Sequence, residues 1–365
     1  MTAPTPRPGI MEINPYVPGK SGPADGDDRP VIKLSSNESA LGPSPKAVAA
    51  AQAAAETIVR YPDGGATVLR EAIGAHHGLD PARIICGAGS DELLEMIPRA
   101  YAGPGDEVLF SQYGFAMYPI ATHAVGATPV TAPETNYHTD VDAMLERVSE
   151  KTKIVFLANP NNPTGSYISR DEVHRLREGL PDDVLLVLDS AYAEFVDHDD
   201  YSAGRELVDA GDNTVMTRTF SKIYALAGLR IGWLYGPPGI VDVLNRIRSP
   251  FNVSAVAIAA ATAAIDDHEH VAMAREHNRL WLPRLTQSLR GLGLAVHPSV
   301  VNFLLVQFPG GDEQAKAAEE FLAARRIYVR NLVAYGLPDC LRINLGLDHE
   351  MAALIDALGD FMENA

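Results

Sequence analysis

Lysine is scarce in this 365-residue chain: only seven are present, at 20, 33, 46, 151, 153, 222 and 316. Cysteine is scarcer. Cys86 and Cys340 stand alone without a CxxC spacing, which disfavours a disulfide framework or a zinc site and fits a cytoplasmic location. Long apolar runs are missing as well. The longest, Ala255–Ile265, is Ala-rich and too short to span a bilayer. The first residues, MTAPTPRPGIM, lack a basic stretch followed by an apolar one, so no signal peptide is expected. Positive charge is in deficit, with 30 Lys and Arg against 47 Asp and Glu and a net charge of -17. That balance argues against nucleic acid or an anionic membrane as a partner. It also means that an anionic substrate needs a local cluster of Arg. No HExxH or GxSxG spacing occurs, which disfavours a metal site and a serine hydrolase. His76-His77 and His268-Glu-His270 read as helix-surface residues.

What is present is ordinary for a globular protein, at 46% hydrophobic and 21% charged. The length suits two domains. Residues 1–42 are rich in Pro and Gly and read as an extended arm. Helices are expected over Lys46–Val59, Val68–His77 and Asp91–Ala102. Seven short apolar runs read as strands: Arg83–Gly87, Glu107–Ser111, Thr128–Ala132, Lys153–Ala158, Val184–Asp189, Thr214–Thr219 and Arg230–Tyr235. Several, such as VLLVLD, are apolar throughout, as strands covered on both faces are. Strands alternating with helices predict an α/β fold with a mostly parallel, doubly wound sheet whose ligands bind at the strand ends. Beyond about residue 250 the pattern changes to one long helical region, Ser254–Leu292. Strands at Asn302–Phe308, Ile327–Arg330 and Leu341–Leu345 follow, with helices at Glu313–Arg325 and His349–Met362. This reads as a smaller α+β domain. The expected division is an arm over 1–42 packed with the small domain, a large cofactor-binding domain over 43–248 and a small substrate-closing domain over 249–365.

Several loops carry chemically apt residues, each with a plainer alternative. Lys222, in Thr219-Phe-Ser-Lys222, is the only lysine in a small-residue turn flanked by apolar sequence, where burial lowers an amine's pKa from about 10.4. It also reads as a surface lysine after a strand. Asp189 ends a buried strand, with Tyr192 three residues on. It can hold a pyridinium N–H, or simply cap a helix. Asn162, in Asn159-Pro-Asn-Asn-Pro-Thr-Gly165, has an amide that can donate to a ring oxygen, or serves turn chemistry. Cys86-Gly-Ala-Gly-Ser-Asp-Glu92 joins a strand to a helix. Glu92 stands where a dinucleotide-binding loop has its third glycine, so a pyrophosphate is repelled. A single phosphate near Ser90 and Asp91 remains open beside a simple cap. Tyr113 can stack on an aromatic ring or belong to the core. Arg342 and Arg330 sit mid-strand among apolar residues, a setting that calls for an anion.

The ordered series LSSNE, RYPDGG, GAGSDE, NPNNPTG, D-x-x-Y, TFSK-x-x-x-LAGLR and LR-x-N-x-G resembles fold type I pyridoxal-phosphate aminotransferases along nearly the whole chain. LSSNESALGPSPKA, RYPDGGATVLREAI, FLANPNNPTGSY and AYGLPDCLRINLG most resemble the histidinol-phosphate branch. The resemblance implies pyridoxal phosphate bound to Lys222 as a Schiff base, with Lys222 also shuttling the substrate proton. It implies Asp189 at the pyridine nitrogen, Asn162 and Tyr192 at the 3-hydroxyl oxygen, and Tyr113 stacked on the ring. Ser90, Asp91, Ser221 and Arg230 would hold the phosphate. Tyr61 would reach the cofactor of a second subunit, implying a homodimer. Arg342 would bind the substrate's anionic group, with Arg330 and Tyr16 at its second anionic end and Asn37 at the substrate side. The implied substrates are histidinol phosphate and the pair glutamate/2-oxoglutarate. Aromatic amino-acid transamination and threonine-phosphate decarboxylation are the alternatives. Ser39-Ala40 and Ala225 depart from the family's usual Asn/Thr-Pro and Gly.

Overall fold

The computed structural model describes residues 4–22 and 30–364. Residues 1–3 and 23–29 of the expected arm therefore lie outside the described residues. Fourteen strands occur among those described. In chain order they are β1 Ile32–Leu34, β2 Ile84–Gly87, β3 Glu107–Ser111, β4 Thr128–Ala132, β5 Glu134–Thr135, β6 His138–Thr139 and β7 Thr152–Ala158. There follow β8 Leu185–Asp189, β9 Thr214–Thr219, β10 Gly232–Tyr235, β11 Ala295–Val296, β12 Phe303–Gln307, β13 Ile327–Leu332 and β14 Leu337–Asn344.

The large sheet has seven strands in the order β2-β10-β9-β8-β7-β3-β4. Only β10 runs antiparallel to its neighbours. All seven are the runs expected from sequence. β8 is buried at every position, whereas β4, at the edge, is only partly covered. From β3 the chain moves outward to β4, then returns to β7 on the other side of β3 and continues through β8 and β9. The winding thus reverses between β3 and β7, and a crevice opens there at the carboxyl ends of the strands.

The small sheet has the order β1-β13-β14-β12-β11. Its first strand comes from the N-terminal segment: Ile32, Lys33 and Leu34 pair in parallel with Ile327, Tyr328 and Val329. The long helical region is two helices, Ala255–Ile265 and His268–Gly291. The break falls at Asp266–Asp267, because the Asp267 carboxylate is drawn to Ser44 Oγ and, at 2.8 Å, to Lys46 Nζ. The helix expected over Lys46–Val59 spans Pro45–Ala55, with Pro45 in its first turn and Ser44 Oγ accepting from Lys46 N. Arg230, expected as a strand residue, precedes β10 with a φ of 51°. Among the described residues no helix is long and apolar enough to cross a membrane, and no cluster of His, Cys, Asp and Glu could hold a metal.

Candidate active site

A cavity of about 280 Å³ opens where the large sheet's crevice meets the small sheet. Asp189 enters from the end of β8, and Tyr192 from the turn after it. Ser221 and Lys222 come from the turn after β9, and Asn162 from the loop after β7. Ser90 and Asp91 begin the helix Ser90–Tyr101 that follows β2. Arg342 reaches in from β14, Tyr16 and Asn37 from the N-terminal segment, and Arg230 from the edge of β10. The candidates that follow β2, β7, β8 and β9 share one wall because these parallel strands all end at the same side of the sheet, and the small sheet and N-terminal segment supply the rest.

Three candidates lie elsewhere. Tyr113 does not line the cavity. Its backbone N–H donates to Glu134 at 3.2 Å, and its ring packs on Tyr137 at 5.8 Å. Phe115, two residues on, is the aromatic that faces the cavity. Arg330 opens into a neighbouring cavity of about 470 Å³, with Tyr16 bordering both. Tyr61 is 82% exposed and stacks on Phe251 at 4.5 Å.

Burial sets the electrostatics. Lys222 Nζ lies 3.5 Å from the Ser36 carbonyl oxygen. Loss of solvent, then the nearby Arg342 charge, lowers its pKa to about 8. Loss of solvent raises Asp189 to about 6, opposed by hydrogen bonds from Tyr118 Oη at 2.8 Å and Thr217 Oγ1 at 3.3 Å. Tyr192 is pushed up to about 12 by burial, and its hydroxyl accepts from Asn37 Nδ2 at 2.7 Å. Arg342 donates to Asn162 Oδ1 and, at 3.0 Å, to the Ser35 carbonyl. The Asn162 amide nitrogen is therefore the end left to donate into the cavity. Arg342 Nε is buried without a hydrogen bond.

Comparison with known proteins places this geometry. The family model described as aminotransferase class I and II matches residues 29–358. The chain belongs to that family. It is 58% identical over 363 residues to a histidinol-phosphate aminotransferase of Paramagnetospirillum magneticum, covering 99% of each. A Rhodospirillum centenum protein of the same name is 56% identical, covering 100% of each. Among solved structures, the Sinorhizobium meliloti histidinol-phosphate aminotransferase in complex with pyridoxal-5'-phosphate superposes with a TM-score of 0.87, 31% identity and 92% coverage of both chains. A Thermus thermophilus aspartate aminotransferase shares the fold at a TM-score of 0.81 and 21% identity, covering 92% of this chain and 99% of that one.

The aminotransferase family depends on pyridoxal phosphate, and the residues present fit that cofactor. A buried carboxylate at Asp189 calls for a cation such as a protonated ring nitrogen. Beside it, the start of helix Ser90–Tyr101 offers N–H groups without intrahelical partners. Arg230 meets Ser221 Oγ at 3.3 Å there. Gly89 has a φ of 85°, a backbone that favours glycine, and a Cβ there would fall 2.4 Å from the Arg230 guanidinium and push it aside.

Two residues escaped sequence reasoning. Tyr118, wholly buried and stacked on Phe156 at 4.6 Å, reads as core and carries no signal of its bond to Asp189. Phe115 stands two residues after Tyr113, and only the turn ahead of the helix Met117–Ala124 decides that it, and not Tyr113, lines the cavity. The departure at Ala225 has a physical meaning: its φ is 57°, in the left-handed region that favours glycine.

Proposed function

We propose that this aminotransferase exchanges an amino group between histidinol phosphate and 2-oxoglutarate, giving imidazole-acetol phosphate and glutamate. The observation that carries the reading is the 58% identity, over 99% of both chains, to a relative named for that activity. The arginines supply a physical rationale. Arg330 and Arg342 are direct partners across β13 and β14. Like charges so paired repel, and among the described residues neither is in an ion pair. An anionic substrate group relieves both costs. Guanidinium forks accept phosphate and carboxylate alike, so one site can serve both substrates.

In this reading bound pyridoxal phosphate supplies a sink for the electrons left when the substrate's Cα proton departs. Lys222 holds the cofactor covalently and then carries that proton. Its lowered pKa of about 8 leaves about a tenth of the amine neutral at pH 7, far more than an ordinary lysine has. Asp189 holds the ring-nitrogen proton, and Tyr118 orients Asp189. Asn162 and Tyr192 hold the ring oxygen, with Asn37 orienting Tyr192. Phe115, rather than Tyr113, covers the ring. Ser90, Asp91, Ser221 and Arg230 hold the phosphate. Arg342 takes the substrate's first anionic group, and Arg330 and Tyr16 its second.

Two chains act together as a cytoplasmic homodimer. Ile58, Val59, Tyr61 and Phe251 form an exposed apolar face that supports this, and Tyr61 serves the second subunit's site. Residues 1–42, 43–248 and 249–365 act as arm, cofactor domain and closing domain. The test is a transamination screen with glutamate against imidazole-acetol phosphate and phenylpyruvate, with threonine phosphate scored for decarboxylation. Preference for imidazole-acetol phosphate is expected. Preference for phenylpyruvate, or release of carbon dioxide, rejects the assignment.

A further inference from the structure

The turn from Gly87 to Asp91 is enclosed on three sides. A Cβ on Gly232 would fall 2.4 Å from Ser90 N, so β10 presses against the turn from beneath. Arg230 closes it on the cavity side, against Gly89. Glu92 holds the third side. Its Oε2 accepts from Ala88 N at 2.6 Å and from Asn252 Nδ2 at 2.7 Å. Asn252 Nδ2 also donates to the Cys86 carbonyl at 3.1 Å, and Asn252 Oδ1 accepts from Arg248 Nη1 at 2.7 Å. Asn252 follows Phe251, whose φ of 53° is strained for a bulky residue. The chain accepts that strain where it delivers Asn252 to the turn.

An acidic group beside an anion site is a cost unless it does something there. Glu92 removes the Ala88 N–H from competition and fixes that peptide plane. The N–H groups of Ser90 and Asp91 then stay free at the helix start. We propose that Glu92 and Asn252 are positioning residues that together set the Gly87–Asp91 turn to receive a phosphate. The inference rests on the reading that this turn holds the cofactor's phosphate.

The test is equilibrium binding of pyridoxal phosphate and of pyridoxal to the apoenzyme, followed by absorbance. Wild type should favour pyridoxal phosphate; equal affinity for the two would sink the underlying reading itself. Given that preference, Glu92→Ala and Asn252→Ala should each weaken pyridoxal phosphate by about 10- to 100-fold, as for a lost hydrogen bond to a charged group. Pyridoxal binding should stay unchanged. The double variant should lose little more than either single one, because the two share a bond. Glu92→Gln, which keeps an acceptor, should recover most of the affinity. Equal weakening for both ligands, or none, overturns the proposal. Should the alanine variants not fold, Asn252→Asp sets two carboxylates against each other. It should weaken pyridoxal phosphate, and adding Glu92→Gln should restore part of the loss, the Cys86 carbonyl still lacking its donor; no weakening again overturns the proposal.

Discussion

At the scale of single residues, the site holds charges where solvent would not leave them. Asp189 is raised from 3.8 to about 6 by burial. Its neutral form therefore stabilises the apoenzyme below about pH 4, and that contribution is lost as pH rises through about 6. At neutral pH the ionised group costs about 3 kcal/mol. Asp189→Asn should thus make the apoenzyme more stable at pH 8 by up to about that amount, with the gap closing near pH 4. Urea unfolding at the two pH values checks this, and single-turnover transamination by the same variant should fall by orders of magnitude. Lys222 is shifted the other way. Its amine should react with an amine-selective reagent at a rate that rises with pH and levels off above about 8. Peptide mapping across a pH series reads this, and a rise that continues past pH 10 refutes it. Ala225→Gly should relieve a left-handed backbone and stabilise by about 1 kcal/mol, visible in the melting temperature. The sequence exposed Lys222, Asp189 and Arg342 because each is a polar residue in an apolar setting. It could not tell Tyr113 from Phe115, which lines the cavity, because one aromatic in SQYGFAMY looks like another until the turn decides which faces inward.

Elements were the easiest level to read. Apolar runs bounded by turn residues marked all seven strands of the large sheet, most plainly those such as β8 that are covered on both faces and have little other option. Boundaries were harder, because local side-chain bonds decide them, as Asp267 does between Ala255–Ile265 and His268–Gly291. Partners across elements were hardest. Arg218 on β9 and Glu194, two residues past Tyr192, form a buried ion pair at 2.7 Å, with both side chains under 10% exposed. Nothing in their spacing announces it. The pair ties the turn that carries Tyr192 to the strand that delivers Lys222. Glu194→Ala leaves Arg218 buried and unpaired and should cost about 3–5 kcal/mol. Chemical denaturation of the apoenzyme measures that loss.

At the scale of the whole molecule, the site belongs to no single unit. Arg342 on the small sheet bonds Asn162 beyond the large one, while β1 locks the N-terminal segment beside β13. The same segment carries Tyr16, whose ring lies 5.8 Å from the Arg330 guanidinium. On the proposed reading, substrate recognition and the packing of N-terminal segment, small sheet and large sheet are therefore one arrangement. This separates the two arginines. Arg342 lines the cavity, and on the proposed reading it takes every substrate's first anionic group, so its loss should be felt by all. Arg330 stands one strand outward, behind Tyr16, and on the proposed reading meets only the far end of a substrate. A phosphate there brings more charge and more acceptor oxygens than an aromatic ring offers. Removing one partner of a desolvated charge pair costs about 2–5 kcal/mol, or roughly 30- to 4000-fold in kcat/KM. Arg330→Ala should therefore depress kcat/KM for histidinol phosphate well beyond its effect on phenylalanine. A paired kinetic comparison of variant and wild type decides the matter. Equal losses on both, with wild type preferring phenylalanine, would reassign the enzyme to aromatic amino acids.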